Sequence, residues 1–348
     1  MTQALKKIIF FRASCVVELI YAERLPGPGE TLHGYKFATS HGGKGANQCM
    51  AAAKLGGNTS MVAKDHGIDT TFMSVAPNEC TGVAQINVSK SGENQIVIVA
   101  GSNNLLTPGE VEKAKEMIVN ASVLVCQLET PMESSERAFE LCKGTKILNA
   151  APALSNISSK LLKLTTILCV NESEAALMTG KSGYHTIFLV PGLVSDHVKT
   201  CTFIFNSILH PFNSQVLFLF FNEALCNRGL FCSDIATAIQ ILLGFGCEIV
   251  IITLGANGAA FATQTEPTPI HVLCEKVVPV DTTGAGDAFI GALATLVATP
   301  YESLTKVIGA SCKVASMSVT KEGTQEKPSK HYTRYFIVFI SRDFGFIC

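Results

Sequence analysis

Beyond Thr107 the chain alternates helical and extended patterns, with a helix expected over 108–120, a strand over 123–127, a helix over 134–142 and a strand over 146–149. Such alternation implies a parallel sheet with helices on its faces, because parallel neighbours need long crossovers. The apolar runs 167–170 and 248–254 supply further buried strands, and 6–11 reads as the first. Two regions stand apart from this pattern. Residues 29–37 alternate roughly, and 82–100 hold two β-rich runs around Ser91-Gly92-Glu93-Asn94. They predict a small sheet separate from the main one, so the expected class is α/β: an open, mostly parallel sheet flanked by helices, plus a small β-sheet.

One turn in this framework carries chemistry. Val280-Asp281-Thr282-Thr283-Gly284-Ala285-Gly286-Asp287-Ala288-Phe289-Ile290-Gly291 is expected to leave a short strand over 275–280 and enter an apolar, small-residue helix over 288–298. Small residues let the backbone approach a ligand, and amides at a helix start form an anion site. Asp287 falls beside any anion held there. A carboxylate repels phosphate, so the pairing suggests a base acting next to a phosphoryl group, and hence phosphoryl transfer to a hydroxyl. Read alone, a G-x-G turn is also common in α/β proteins without this role; the longer D-T-T-G-A-G-D run is far more specific.

The run resembles the signature of the ribokinase, or pfkB, family of carbohydrate kinases, and the likeness extends over about 8–180 and 234–328. The resemblance implies a ribokinase-like fold in one domain, 1–330, with the β regions at about 10–41 and 82–102 forming a lid over the sugar and a homodimer interface. It implies Asp287 as general base, with the amides of Gly284, Ala285 and Gly286 holding the transferring phosphoryl group. The implied reaction is ATP-dependent phosphorylation of D-ribose at O5, with fructokinase-like and adenosine kinase-like substrates as alternatives. Mg²⁺ is the implied cofactor and K⁺ the implied activator, in the cytoplasm and, as a second setting, the nucleus.

Further motifs take meaning from this resemblance. Gly42-Gly43-Lys44-Gly45-Ala46-Asn47-Gln48 precedes a helix expected over 49–55, and its mixture of directional donors suits a hydroxyl-rich ligand, although a glycine turn with a solvated lysine reads the same way. By resemblance, Gly43, Lys44, Gly45, Ala46 and Asn47 are sugar contacts. Glu129 follows a strand, at the carboxyl edge where open sheets bind ligands, and is implied to contact the sugar. Asn171 and Glu174 form an N-x-x-E pattern that fits both a helix capping box and hard-oxygen chemistry toward Mg²⁺ through water. Thr253, Leu254, Gly255, Ala256, Asn257 and Gly258 match the family's nucleotide loop, and Asn171, Gly286, Asp287 and Cys312 are implied ATP contacts. A monovalent cation site is implied at Asp281, Thr283, Ser318, Lys321, Gly323 and Lys327. Thr179-Gly180-Lys181-Ser182 looks like the end of a Walker A motif, but Ala175 stands where its first glycine belongs.

Composition excludes other classes. A net charge of -1 gives no electrostatic footprint for nucleic acid or an anionic membrane, and no segment approaches the roughly 20 uninterrupted apolar residues of a membrane helix. The thirteen cysteines are scattered and never spaced C-x-x-C, so reduced thiols are expected rather than a disulfide framework or zinc site. No G-x-G-x-x-G follows the first strand, which disfavours a dinucleotide oxidoreductase.

The chain departs from the family pattern in four places. Ala13 and Glu18 stand where the family has a glycine and an Asp that grips sugar hydroxyls. The passage from His66 to Gly67 omits a crossover of about a dozen residues. Residues 183–232 form a Phe-rich, charge-poor run that reads as an atypical insertion, and 331–348 as an atypical tail with no family counterpart. These departures keep a second reading open, a binding or heteromeric subunit without turnover.

Overall fold

The computed structural model describes residues 6–11, 15–60, 78–91, 93–180 and 233–320. Its main sheet has eight strands in the order β12-β11-β10-β9-β8-β7-β1-β4. The strands are β1 (Lys7–Phe10), β4 (Asn58–Ser60), β7 (Val123–Cys126), β8 (Thr145–Asn149), β9 (Ile167–Asn171), β10 (Ile249–Thr253), β11 (Ala259–Thr263) and β12 (Ile270–Val272). From β4 to β10 every pairing is parallel, while β11 and β12 add an antiparallel edge.

Both faces of this sheet are covered, which explains why its strands are apolar runs rather than alternating ones. On one side Ile8, Phe10, Val123, Val125 and Ile251 pack under α1 (Lys44–Lys54), α8 (Ala285–Val297) and α9 (Leu304–Ser318). On the other, Ile9, Leu124, Leu148, Leu168 and Ile252 meet a layer formed by α2 (Pro108–Lys113), α3 (Lys115–Val119), α4 (Met132–Leu141), α5 (Ser159–Leu164), α6 (Glu172–Thr179) and α7 (Ser233–Gly244). Helix α8 lies between α1, α9 and the sheet, so it is buried almost all round from Ala288 to Leu296.

The small sheet is separate, with strand order β3-β2-β5-β6. It comprises β2 (Cys15–Ala22), β3 (Lys36–Gly42), β5 (Gly82–Ser89) and β6 (Asn94–Val99). By register, Cys15, Val17, Leu19, Ala38, Ile86, Ile96 and Ile98 share one face, and Glu18, Thr39 and Gln85 share the other with Phe37, Val83, Val97 and Val99.

Three expectations need correction. The alternation read over 29–37 is mostly loop, and the strand starts at Lys36, where pairing with Tyr21 begins. The helix read over 108–120 is two, interrupted at Ala114. No strand forms over 275–280: β12 ends at Val272 on the sheet edge, and Leu273 and Val278 beyond it are 72% and 86% exposed, with no apolar surface to hold them. The amides of Val280 and Asp281 bond instead to Val319 O, at 2.7 and 3.1 Å. Among the described residues no helix is long and apolar enough to cross a membrane. Ala13, the passage after His66, the run 183–232 and the tail 331–348 lie outside the described residues.

Candidate active site

A cleft of about 190 Å³ opens at the carboxyl edge of the parallel strands, against the start of α8. This is where an open α/β sheet places ligands, because strand ends and helix starts converge there. Asn149 comes from β8, Cys169, Val170 and Asn171 from β9, Thr253 from β10, Glu174 from α6, Lys44 from α1, and Gly284, Gly286 and Asp287 from the turn into α8.

Two glycines shape the entry to this cleft. Gly284 has φ of 77° as the residue before α8, and Gly43 has φ of 97° before α1, backbone states that side chains rarely adopt. Gly286 faces open space, with nothing within 4 Å of where a Cβ would stand. The Ala285 amide is already used, donating to Thr282 O at 3.2 Å. That leaves the amides of Gly286 and Asp287, in the first turn of α8, as the donors such a helix end offers an anion.

Asp287 is held from both sides of its carboxylate. Asn47 Nδ2 donates to Oδ2 at 2.9 Å and Gln48 Nε2 donates to Oδ1 at 3.0 Å. Glu129 accepts from the backbone amide of Lys44 at 2.8 Å, which ties the loop after β7 to the start of α1. Glu174 and Asn171 close a capping box: Asn171 Oδ1 accepts from Glu174 N and Glu174 Oε2 from Asn171 N, both at 2.8 Å.

Burial raises the pKa of all three carboxyls above the usual carboxylate range. For Asp287 the opposing influences are the Lys44 charge, then the Asn47 and Gln48 hydrogen bonds. Asp287 retains some surface open to the cleft, but its carboxyl oxygens lie deep among these partners, so desolvation dominates. Glu129 and Glu174 are each lowered by a backbone amide and by Lys44, and raised by Asp287. One cation thus opposes the rise at all three carboxyls.

Most of the residues expected from sequence converge here: Lys44, Asn47, Glu129, Asn171, Glu174, Thr253, Gly284, Gly286 and Asp287. Gly43 caps α1, while Gly45 and Ala46 are buried inside that helix. Leu254 is buried behind the cleft, and Gly255, Ala256 and Asn257 form a 3₁₀ turn closed by Gly258, whose missing Cβ would meet Val272 O at 2.0 Å. Glu18 lies mid-β2 on the face of the small sheet opposite Cys15, outside the cleft lining. Cys312 is buried in α9, its thiol pushed up to about 12 by burial. Asp281 accepts from Thr283 N at 2.9 Å, and the Val319 bonds bring this loop to the end of α9, where Ser318 is buried. Lys321, Gly323 and Lys327 lie outside the described residues.

Sequence reasoning missed Gln48, Gln127, Asn149 and Cys15. The Cys15 thiol, at the start of β2, is raised to about 11 by burial and then by the charges of Glu129 and Asp287. Gln48 stood in the quoted glycine-rich motif, so the signal for it was present.

The chain matches the model of the pfkB family carbohydrate kinase over residues 62–200 and 210–331, a match that enters 183–232 from both ends. It is 36% identical to a ribokinase of Mus musculus, covering 90% of this chain and 88% of the relative. A ribokinase of Dictyostelium discoideum is 33% identical, over 88% of this chain and 92% of the relative. The fold superposes on that of an Arabidopsis thaliana ribokinase complexed with ribose and ATP at a TM-score of 0.72, with 23% identity, over 96% of this chain and 99% of the other. With the family model covering most of the sequence, and relatives matching it nearly end to end, the chain belongs to the pfkB family of carbohydrate kinases.

Proposed function

We propose that this protein transfers the γ-phosphoryl group of ATP to O5 of D-ribose, giving ribose 5-phosphate and ADP. The observation that carries the proposal is Asp287: a carboxylate held by two amide side chains, one residue from an open glycine at the start of a helix, with Lys44 in the same cleft. Asp287 takes the proton of the O5 hydroxyl as the O5–phosphorus bond forms and the bond from phosphorus to the β–γ bridging oxygen breaks. The Gly286 and Asp287 amides and Lys44 face the charge that spreads over the phosphoryl oxygens. Lys44, Asn47 and Glu129 offer a cation, an amide and a carboxylate to sugar hydroxyls, and the face of the small sheet carrying Cys15, whose thiol senses Glu129 and Asp287, is the natural side to cover them. The loop from Thr253 to Gly258 is the proposed ATP contact.

The oxygens of Asn171 and Glu174 are partly engaged in their capping box, and no group of three His, Cys, Asp or Glu among the described residues surrounds a direct metal site. This donor set fits Mg²⁺ held mainly by nucleotide phosphates, with Glu174 reaching it through water. Mg²⁺ would supply charge neutralisation at the β- and γ-phosphates. The Asp281 loop beside the end of α9 supports a K⁺ site. The nine described cysteines are free thiols, in keeping with a reducing compartment such as the cytoplasm.

A coupled ADP-release assay with ribose and MgATP tests the proposal. Turnover that depends on ribose is expected, and Asp287→Asn should lower kcat by about 10²- to 10⁴-fold. Near-wild-type turnover in Asp287→Asn would remove the base assignment, and binding of both ligands without ADP release would make the chain a binding subunit.

A further inference from the structure

Helix α1 sends a second amide to the base, and that amide is itself tightly held. Gln48 is fully buried, and Gln127, at the end of β7, is 2% exposed. Gln48 Oε1 accepts from Gln127 Nε2 at 2.7 Å, while Gln48 Nε2 donates to Asn149 Oδ1 at 2.9 Å and to Asp287 Oδ1 at 3.0 Å. Asn149 in turn donates to Cys169 O at 3.3 Å. A primary amide has two donor hydrogens and one carbonyl oxygen, and here each is used.

This chain of amides fixes which end of Gln48 faces the carboxylate. Turning the amide over would set Oε1 against Asp287 and Asn149 oxygens, and Nε2 against the Gln127 donor. Asn149, anchored on Cys169 O, therefore selects the orientation in which Gln48 donates to the base, and the Gln127 donor is matched to it. We propose that Gln48, oriented by Gln127 and Asn149, is a positioning residue for Asp287, holding Oδ1 so that Oδ2 is directed at the sugar hydroxyl beside Asn47. The inference rests on Asp287 being the base of the reaction proposed above.

Two consequences separate positioning from mere packing. A donor on Oδ1 favours the ionised carboxylate, so its loss moves ionisation of Asp287 to higher pH. It also frees the carboxylate to rotate, and small misplacements of reacting groups carry large rate penalties. The other groups acting on this carboxyl are Lys44 and Asn47 from α1, and those that feel its charge are Glu129 from the loop after β7, Glu174 from α6 and the Cys15 thiol from β2; none of them changes in the variants below.

The test uses the full chain with Gln48→Met, which keeps length and removes the amide, and Gln127→Met, which disturbs Gln48 without touching Asp287. Asp287→Asn serves as the reference. Each variant is followed by kcat against pH at saturating ribose and MgATP, and by ¹³C titration of aspartate carboxyls, the Asp287 signal being the one missing in Asp287→Asn. Gln48→Met should lower kcat by about 10- to 100-fold, shift the acidic limb to higher pH and move the Asp287 titration the same way, with the ribose KM little changed. Gln127→Met should do the same to a smaller degree, and it carries the test alone if Gln48→Met does not fold. Asp287 titrations in both variants that coincide with wild type would overturn the inference, even if stability fell. Retained turnover in Asp287→Asn would instead remove the base assignment, a separate failure, because the carboxyl titration reads the effect of Gln48 without reference to activity.

Discussion

At the scale of single residues, the site is a contest between burial and one lysine. Desolvation pushes the Asp287, Glu129 and Glu174 carboxyls up, and the charge of Lys44 opposes the rise at all three. A general base works only when ionised, so activity is lost as pH falls through its raised pKa. Removing the lysine raises that pKa further, and the loss then begins at higher pH. Lys44→Met should therefore shift the acidic limb of kcat upward, and should lower the plateau by about 10²-fold or more because a cation facing the phosphoryl group is gone. Rate measured against pH checks both; an unmoved limb with a lowered plateau would confine Lys44 to substrate charge. The carboxylates were legible in the sequence because each ends a local motif. The amides behind them were not: Gln48 meets Gln127 and Asn149 across 79 and 101 residues of chain, and no local pattern encodes such a meeting.

At the scale of elements, the site depends on how closely α1 approaches α8. Gly291 lies one turn beyond Asp287, and a Cβ there would come within 2.6 Å of Ala51 Cβ and Gln48 O, and 2.9 Å of Ala52 N. Since the nearest atoms include backbone, the helices must separate to admit a methyl group, and Asn47 and Gln48 would be drawn away from the carboxylate. Gly291→Ala should destabilise the protein by about 1–3 kcal/mol and lower kcat more than a stability loss of that size explains at temperatures where the protein stays folded. Denaturant unfolding beside turnover at low temperature checks this. Unchanged kcat would mean that α1 shifts without carrying its amides along. Helix and strand alternation was readable because burial on both sheet faces leaves continuous apolar runs, as in Val123-Leu124-Val125-Cys126. Boundaries were less so. Helix α1 begins at Lys44 rather than Cys49 because Gly43 supplies the turn into it, and the apolar segment after β12 remains irregular because it has no strand beside it.

At the scale of the whole molecule, the two sheets differ in how their apolar surface is covered. The large sheet has helices on both sides. The small one turns the face of Cys15, Val17, Ala84 and Ile86 toward the site, where the Cys15 thiol senses Glu129 and Asp287, and on its outer face the edge strand β6 carries Val97 and Val99, 67% and 57% exposed, with Phe37 at 62%. Natural edges of this kind are usually blunted by charge or covered, and β6 has no charge between Gln95 and Val99. That outer face mixes Phe37, Val83, Val97 and Val99 with Glu18, Thr39 and Gln85. This exposed apolar surface supports the homodimer that we propose, joined through the small sheet with the outer faces of two copies packing together. Val97→Lys with Val99→Lys places two charges on that outer face and should convert the dimer to monomers in sedimentation. Ile96→Lys with Ile98→Lys places the same charges on the same strand, one residue back and facing the site, and should leave the dimer intact while raising the KM for ribose. A monomeric wild-type protein, or dimers that survive the first pair and fall apart with the second, would show that the partner does not sit on the outer face. Loss of the dimer in both pairs alike would place the contact on the edge of β6 itself, through its unpaired backbone rather than its side chains.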